Sequence, residues 1–234
     1  MTALLEIDNL NFSYDNHAVL RSVKLQLDAP GIIGLLGLNG EGKSTLLKLI
    51  AGALPAGKAI HISPQLESNW HPVGYLPERP LFYGELTVRE NLEFTAKLYG
   101  IEKHHLSSYL DEALKITGLS PKQKQLAGSL SKGYQQRLGL AMASIHKPEL
   151  LLLDEPTDGL DPQQVSETHA LIKRLSLDCA VIISSHRLDE IKKLCDRILI
   201  LHDGQLASDI QLAETDDTEA LDSLFKQITR AETS

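Results

Sequence analysis

The sequence has few cysteines, few aromatic residues and a deficit of positive charge. Its 234 residues include two cysteines, one tryptophan and 5% aromatic residues, and 23 lysines and arginines stand against 31 acidic residues, for a net charge of −8. Cys179 and Cys195 lack metal-ligand spacing, so we expect both to pack in a core in a reducing cytosol. The acidic balance argues against a nucleic-acid partner, because such binding requires clustered Lys and Arg.

Long apolar runs are also missing. No run approaches the ~18 residues that span a bilayer, and the N-terminus lacks a basic region followed by an apolar one. We therefore expect a protein that is not itself in the membrane. The composition is otherwise that of an ordinary globular protein, and the length suits one large α/β domain or two small ones.

One stretch of nine residues fits G-x-x-x-x-G-K-[ST], the pattern of a phosphate-binding loop. An apolar strand at 32–36 precedes it and a helix at 45–50 follows, which Gly52 can end. The glycines let backbone N–H groups point at a polyphosphate, Lys43 would reach the β- and γ-phosphates, and Ser44 would bind Mg²⁺. The residues of this phosphate loop are Gly37, Leu38, Asn39, Gly40, Glu41, Gly42, Lys43, Ser44 and Thr45.

Two adjacent acids follow a second apolar strand. Residues 150–153 are all leucine, as expected of a parallel strand buried on both faces, and Asp154 and Glu155 stand at its carboxyl end. If this strand neighbours the phosphate loop, Asp154 can hold Mg²⁺ and Glu155 can polarise a water. Alone, such acids are more typical of a solvated turn, and it is the phosphate loop that favours the functional interpretation. A further apolar strand, 180–185, ends at His186.

The remaining pattern predicts an antiparallel entry sheet, a helical insert and an acidic tail. Thr87 and Glu90 have the spacing of a capping box, and residues 130–137 open a helix that Pro148 ends. This second helix start could bind an anion, although it is more often only a capped helix. The acids after Asp203 predict a solvated helix. The other predicted elements are strands at 4–14, 19–27, 59–62 and 198–201 and helices at 88–99 and 108–117.

Taken together and in this order, the motifs resemble those of the nucleotide-binding subunit of an ABC transporter, over essentially the full length of the chain. Residues 130–137 are similar to the signature motif of that family, and we name them the signature segment. The phosphate loop resembles the Walker A motif, residues 150–155 resemble Walker B with its catalytic glutamate, and residues 159–161 resemble the D-loop. His186 is similar to the switch histidine, and Tyr14 is similar to the aromatic residue that stacks on adenine.

The resemblance implies an α/β fold, with a P-loop NTPase core of mainly parallel sheet, an antiparallel β subdomain and a helical insert. It implies a single nucleotide-binding domain over 1–234, with the insert at about 86–145 and a short acidic tail at about 205–234. Tyr14 would stack on adenine, Glu155 would act as the base and His186 would contact the γ-phosphate. Ser131 and Gly133 of a second copy would complete the site.

The partners follow from the same resemblance. ATP with Mg²⁺ would lie between two copies, or between this chain and a paralogous ATPase, and its hydrolysis would power a separate integral-membrane permease. The chain would then work on the cytoplasmic face of the membrane through that permease. Two alternatives are a soluble ABC-type ATPase, which would usually carry tandem cassettes or a coiled-coil insert, and a nucleotide-dependent regulator, which could dispense with Glu155 and His186.

Two positions depart from the family pattern. Glu78 stands where Gln is usual, and a carboxylate binds Mg²⁺ more strongly than an amide but cannot donate a hydrogen bond to the attacking water. Lys132 stands in the signature segment where Gly is commonest. The segments around these two positions, residues 75–78 and 130–133, are most similar to those of the ATPase subunits of ABC-2-type exporters. We therefore expect the protein to power export, and we expect the insert and the Glu78 loop to contact the transporter.

Overall fold

The computed structural model describes residues 3–28, 31–63 and 71–212, together with Ser223, Phe225 and Gln227. Contacts divide the chain into two compact units, the first made of Met1–Gln65 and Ala180–Ser234 and the second of Leu66–Cys179. The predicted single domain over 1–234 stays a prediction. The strands are β1 (Leu5–Tyr14), β2 (His17–Leu27), β3 (Ile32–Leu36), β4 (Ile60–Ile62), β5 (Val73–Leu76), β6 (Leu150–Asp154), β7 (Ala180–Ser185), β8 (Arg197–His202) and β9 (Gln205–Gln211). The α-helices are α1 (Lys43–Ile50), α2 (Val88–Leu98), α3 (Lys103–Ile116), α4 (Lys132–Ser144), α5 (Pro162–Leu175) and α6 (Leu188–Leu194).

An antiparallel sheet opens the first unit. Strands β1 and β2 pair antiparallel, as the sequence predicted, and β4 confirms the short strand expected near residue 60. Strand β4 pairs with the other edge of β1, a place in the sheet that the sequence did not indicate. The apolar alternation of β1 is only partial because the pairing register shifts between Ile7 and Leu10. Asn9 and Ser22, near the shift on the two strands, both have positive φ. A β-bulge of this kind moves the following side chains to the other face of the strand.

Parallel strands form the other sheet of the first unit. Strand β3 lies between β7 and β8, parallel to both, and all residues of β3 and β7 are buried. This burial on both faces explains why these strands read as continuous apolar runs. Gly52, with φ of 70°, follows the end of α1 as predicted.

The predicted acidic helix after Asp203 is wrong for residues 205–211, which form strand β9. Asp203 and Gly204, with φ of 46° and 71°, make a two-residue turn between the paired His202 and Gln205. Such a turn folds the chain straight back, so β9 pairs antiparallel with β8. Asp209 accordingly lies opposite Arg197's strand and accepts from its guanidinium at 2.7 Å. The acids from Glu214 to Asp222 lie outside the described residues.

The second unit combines the parallel pair β5 and β6 with the helices of the insert. Helix α4 approaches β5 so closely that a Cβ on Gly74 would lie 2.1 Å from the carbonyl oxygen of Ala143. Gly139 of α4 is equally confined, since a Cβ there would lie 2.6 Å from Leu76 and 2.8 Å from Pro80. These glycines therefore let the helix seat directly on the strand and on the loop after it.

The helices α2, α3 and α4 enclose one apolar core, in which Leu92, Leu119 and Leu138 are fully buried. The predicted capping box at Thr87 and Glu90 is present and starts α2. Helix α3 begins at Lys103, five residues before the predicted start. The sequence pattern missed these residues because the first turn is mostly polar and exposed and shows no apolar period. Helix α4 ends at Ser144 rather than at Pro148.

Both cysteines belong to the core. Cys179 and Cys195 are free thiols and are buried, which confirms the expected packing role. Burial raises the pKa of the Cys179 thiol to about 12 and also raises the pKa of Cys195. A thiol that is not ionised at neutral pH is a poor nucleophile and metal ligand.

One buried histidine predicts a loss of stability in acid. The His146 ring stacks on Tyr99 with centroids 3.7 Å apart, its Nε2 lies 3.2 Å from the Val73 carbonyl oxygen, and burial lowers its pKa from 6.5 to about 4. Because the unfolded chain then binds the proton more tightly, this residue should remove about 2 kcal/mol of unfolding free energy between about pH 7.5 and about pH 5. The loss begins near the unfolded pKa and is complete below the folded one.

Urea unfolding of a His146→Gln variant at both pH values would measure the contribution of this histidine to the free energy of unfolding. The variant should lose about 2 kcal/mol less than the wild type over the same interval, whatever its stability at the higher pH. His105→Gln, on the exposed first turn of α3, is the matched control for replacing a histidine by Gln. An unchanged pH dependence in His146→Gln would contradict the assignment.

Candidate functional site

The phosphate loop of the first unit lies between β3 and α1, in the strand, loop and helix order that the sequence predicted. At its start the Gly37 N–H donates to the Ser185 carbonyl at the end of β7, at 3.3 Å. At its end Gly42, with φ of 100°, precedes the first residue of α1. The backbone N–H groups of the loop and of the first turn of α1 therefore form a site suited to an anion.

Lys43 is the cation of this loop. Its side chain is buried, and Nζ donates to the carbonyl oxygens of Gly37 at 2.8 Å and Leu38 at 3.1 Å. The ammonium group is thereby folded over the loop, beside the backbone groups that would surround a phosphate. Ser44 is half-buried in the first turn of α1, where its hydroxyl follows Lys43 directly.

Two further residues predicted for the site, His186 and Tyr14, also lie in the first unit. His186 follows β7 directly after Ser185, whose carbonyl binds Gly37, so it stands beside the start of the loop. Strand β2 contacts the other end, because a Cβ on Gly42 would lie 2.9 Å from the Leu20 side chain. Tyr14 ends β1 at the turn into β2, is 44% exposed and packs edge-on against Phe12. A partly exposed aromatic side chain can stack on a planar ligand.

The second unit brings the three predicted carboxylates to one sheet edge. Asp154 ends β6 and is 2% exposed, and Glu155 follows with a φ of 45°. Leu76 of β5 pairs with Leu153 of β6, so the exposed Glu78 and the half-buried Glu155 each follow the paired residues by two positions. The left-handed backbone of Glu155 is unfavourable for a side chain of this kind, a form of strain that concentrates at functional sites.

The signature segment starts α4 in the same unit. Ser131 is the N-cap residue and is exposed, and its hydroxyl makes no capping hydrogen bond within the described part of the chain. Gly133 is buried against α5, where a Cβ would lie 2.8 Å from the Gln164 side chain. Lys132, the departure from the family pattern, lies 4.0 Å from Asp158. The sequence had given no indication of this ion pair, because it requires the turn after Glu155 to fold back toward α4.

Two features are absent from the described residues. Within those residues, no group of three or more His, Cys, Asp or Glu side chains is arranged to hold a metal ion. None of the helices in the described part of the chain has the length and apolar character required to cross a membrane.

The parallel strands, the phosphate loop and the helix that follows it define a nucleotide-binding α/β protein. Residues 20–158 match the ABC transporter family. The chain is 37% identical over 218 residues to the bacitracin transport ATP-binding protein BcrA of Bacillus licheniformis, covering 90% of this chain and 70% of that protein. It is 34% identical over 212 residues to the uncharacterized ABC transporter ATP-binding protein YxlF of Bacillus subtilis (strain 168), covering 90% and 72%.

A solved structure of the ATP binding subunit of an ABC transporter has the same fold, with a TM-score of 0.82 and 28% identity over 97% of this chain and 99% of that one. The chain therefore belongs to the ABC transporter family and has the ABC ATPase fold. It is an ATP-binding subunit that hydrolyses ATP. The predicted family, fold class and activity are confirmed, and the similarity favours a transporter subunit over a soluble ATPase or a regulator.

Proposed function

We propose that this chain hydrolyses ATP as a dimer on the cytoplasmic face of a membrane and thereby powers export by a separate permease. The observation that supports a dimer concerns the start of α4. Ser131 is exposed, its hydroxyl is not used to cap the helix among the described residues, and the helix N-terminus favours an anion. The first unit already has a phosphate loop that can bind the ATP of the same chain. The anion site at the start of α4 therefore has a role if it binds the ATP held by a second copy.

The proposed site assigns a task to each predicted residue. Magnesium prefers oxygen ligands and keeps part of its coordination shell for waters and substrate phosphates, which suits one hydroxyl and one or two carboxylates. Glu155, beside Asp154 at the strand end, is the base for the attacking water. The assignments are Tyr14 to adenine, Lys43 and the loop amides to the phosphates, Ser44, Asp154 and Glu78 to Mg²⁺, His186 to the γ-phosphate, and Ser131 and Gly133 of the second copy to the same ATP.

Exposed apolar side chains in the second unit support a protein partner. Leu81 and Tyr83 follow the Glu78 loop, and Phe94 and Leu98 project from α2, with exposures between 40% and 77%. The Tyr83 and Phe94 rings contact each other edge to face, with centroids 5.1 Å apart. Exposed apolar residues that cluster are typical of protein contact sites. Their place beside the Glu78 loop supports the proposal that the insert and this loop meet the permease.

The dimer predicts a change of mass with ATP. A Glu155→Gln variant binds ATP without consuming it, so by mass action it should shift from monomer to dimer when ATP and Mg²⁺ are added. Light scattering should give a mass near that of one 25.8 kDa chain without nucleotide and near twice that value at saturating ATP. Adding Lys43→Ala to this variant should abolish the shift. A chain that binds ATP and stays monomeric at saturating concentration would contradict the proposed sandwich.

A further inference from the structure

The phosphate loop contains a carboxylate, which is an unfavourable group at an anion site. Glu41 lies between Gly40 and Gly42, whose φ values are 94° and 100°, and two residues before Lys43. A carboxylate facing the phosphates would oppose the charge of Lys43, and a like charge a few ångströms away weakens anion binding by an amount that grows as water is excluded. The loop therefore needs a way to hold this side chain elsewhere.

The structure shows where the carboxylate is held. The Glu41 side chain is 8% exposed, and its Oε1 lies 3.1 Å from Nδ1 of His202, whose own side chain is 19% exposed. Its Oε2 accepts a hydrogen bond from the backbone N–H of Asp203. Both carboxylate oxygens thus bind the turn between β8 and β9. A buried carboxylate is stable only with such partners.

This turn is itself fixed to β2. The Arg21 guanidinium lies 3.0 Å from the Asp203 carboxylate, and the Arg21 N–H donates to the Gly204 carbonyl at 2.8 Å. A Cβ on Gly204 would lie 2.4 Å from the Val19 carbonyl oxygen, so the turn and the strand are in direct contact. Since Val19 and Leu20 also contact Gly42, the loop, the turn and β2 support one another within the first unit.

We infer that Glu41 and His202 are positioning residues for the phosphate loop. His202 and the Asp203 amide hold the Glu41 carboxylate away from the phosphates and fix the loop in its anion-binding shape. The inference rests on the proposed nucleotide site at residues 37–45. According to this inference, the β8–β9 turn helps to set the affinity for ATP, although the turn lies about 160 residues from the phosphate loop in sequence.

The test compares His202→Ala in two backgrounds, with a β,γ-imido ATP analogue and Mg²⁺ as the titrant. In the wild-type background, His202→Ala should weaken binding at least about fivefold, because the released carboxylate turns toward the phosphates. In a Glu41→Gln background the same substitution should change binding by less than about twofold, since the amide carries no charge. The KM for ATP should rise with the dissociation constant, while kcat stays within about twofold.

The alternatives give different results. If His202 only braces the fold, His202→Ala will lower the melting temperature and weaken binding equally in both backgrounds, which would overturn the inference. His202→Asn, which keeps a hydrogen-bonding group, should recover most of the lost affinity and serves if the alanine variant does not fold. Lys43→Ala separates the two proposals: if it leaves affinity unchanged the nucleotide site itself is wrong, and if it weakens binding while His202→Ala does not, only this inference fails.

Discussion

Replacing Glu155 by Gln should leave ATP binding intact and slow hydrolysis at least about 10²-fold, the usual scale of a lost general base. The substitution preserves the shape of the side chain. Residue 155 has a φ of 45° and directly follows the buried strand β6, so we expect its backbone position to stay the same. Only the proton-accepting charge is removed, so the effect should fall on kcat and not on the dissociation constant. Phosphate release at saturating ATP would measure the first, and titration of the imido analogue the second.

A carboxylate away from the site provides the control. Glu93 lies on α2 and pairs with Lys97 at 2.6 Å on the surface, so Glu93→Gln should hydrolyse ATP at close to the wild-type rate. Near-normal turnover in Glu155→Gln would refute the assignment of this residue as the base. A loss of ATP binding in parallel with turnover would instead show that Glu155 contributes to the structure of the site.

Replacing Lys43 by Ala should weaken ATP binding by about 10- to 100-fold, the range expected when a charged donor to a partly desolvated phosphate is lost. The ammonium group is buried and already lies over the loop, bound to the carbonyls of Gly37 and Leu38. Little reorganisation should therefore be needed for it to meet a phosphate. Titration of the imido analogue with Mg²⁺ would give the change in dissociation constant.

Lys48 is the matched control, because it is a half-buried lysine on the same helix, in the last turn of α1. Lys48→Ala should bind ATP within about twofold of the wild type, since a charge beyond the first turn of a helix adds little to the field at its start. Equal losses in the two variants would indicate a general effect of positive charge rather than a specific contact by Lys43.

The sequence was most informative where one local signal settled the structure. Strands β3, β6 and β7 each contain a continuous run of mainly apolar residues because both of their faces are buried, so their positions could be recognised without knowing their neighbours. The capping box at Thr87 and Glu90 likewise fixed the start of α2, since both of its hydrogen bonds are made between residues three apart.

Other elements were missed because their signals are weak or depend on distant residues. Helix α5 begins with Asp161 as N-cap and Pro162, but only Thr168, Leu171 and Ile172 are buried, so its apolar stripe is short. Strand β9 alternates only between exposed and half-buried residues, and its acids gave the stronger, misleading pattern. The contact of Glu41 with His202 joins residues far apart in the chain, and no spacing rule could have indicated it.

Within the second unit, the close packing of α4 should couple the position of this helix to that of the Glu78 loop. At Gly139 the helix touches Leu76 and Pro80 on either side of Glu78, and at Ala143 it touches Gly74, with no space for even one more carbon atom. Packed interiors have low compressibility, so we expect a push on the Glu78 loop to shift the helix as a rod rather than to be absorbed at these contacts. Ser131 lies at the far end of that rod, about 12 Å from Gly139 at the rise of an α-helix. We therefore expect a movement of the loop also to move Ser131, the residue proposed to contact the ATP of a second copy.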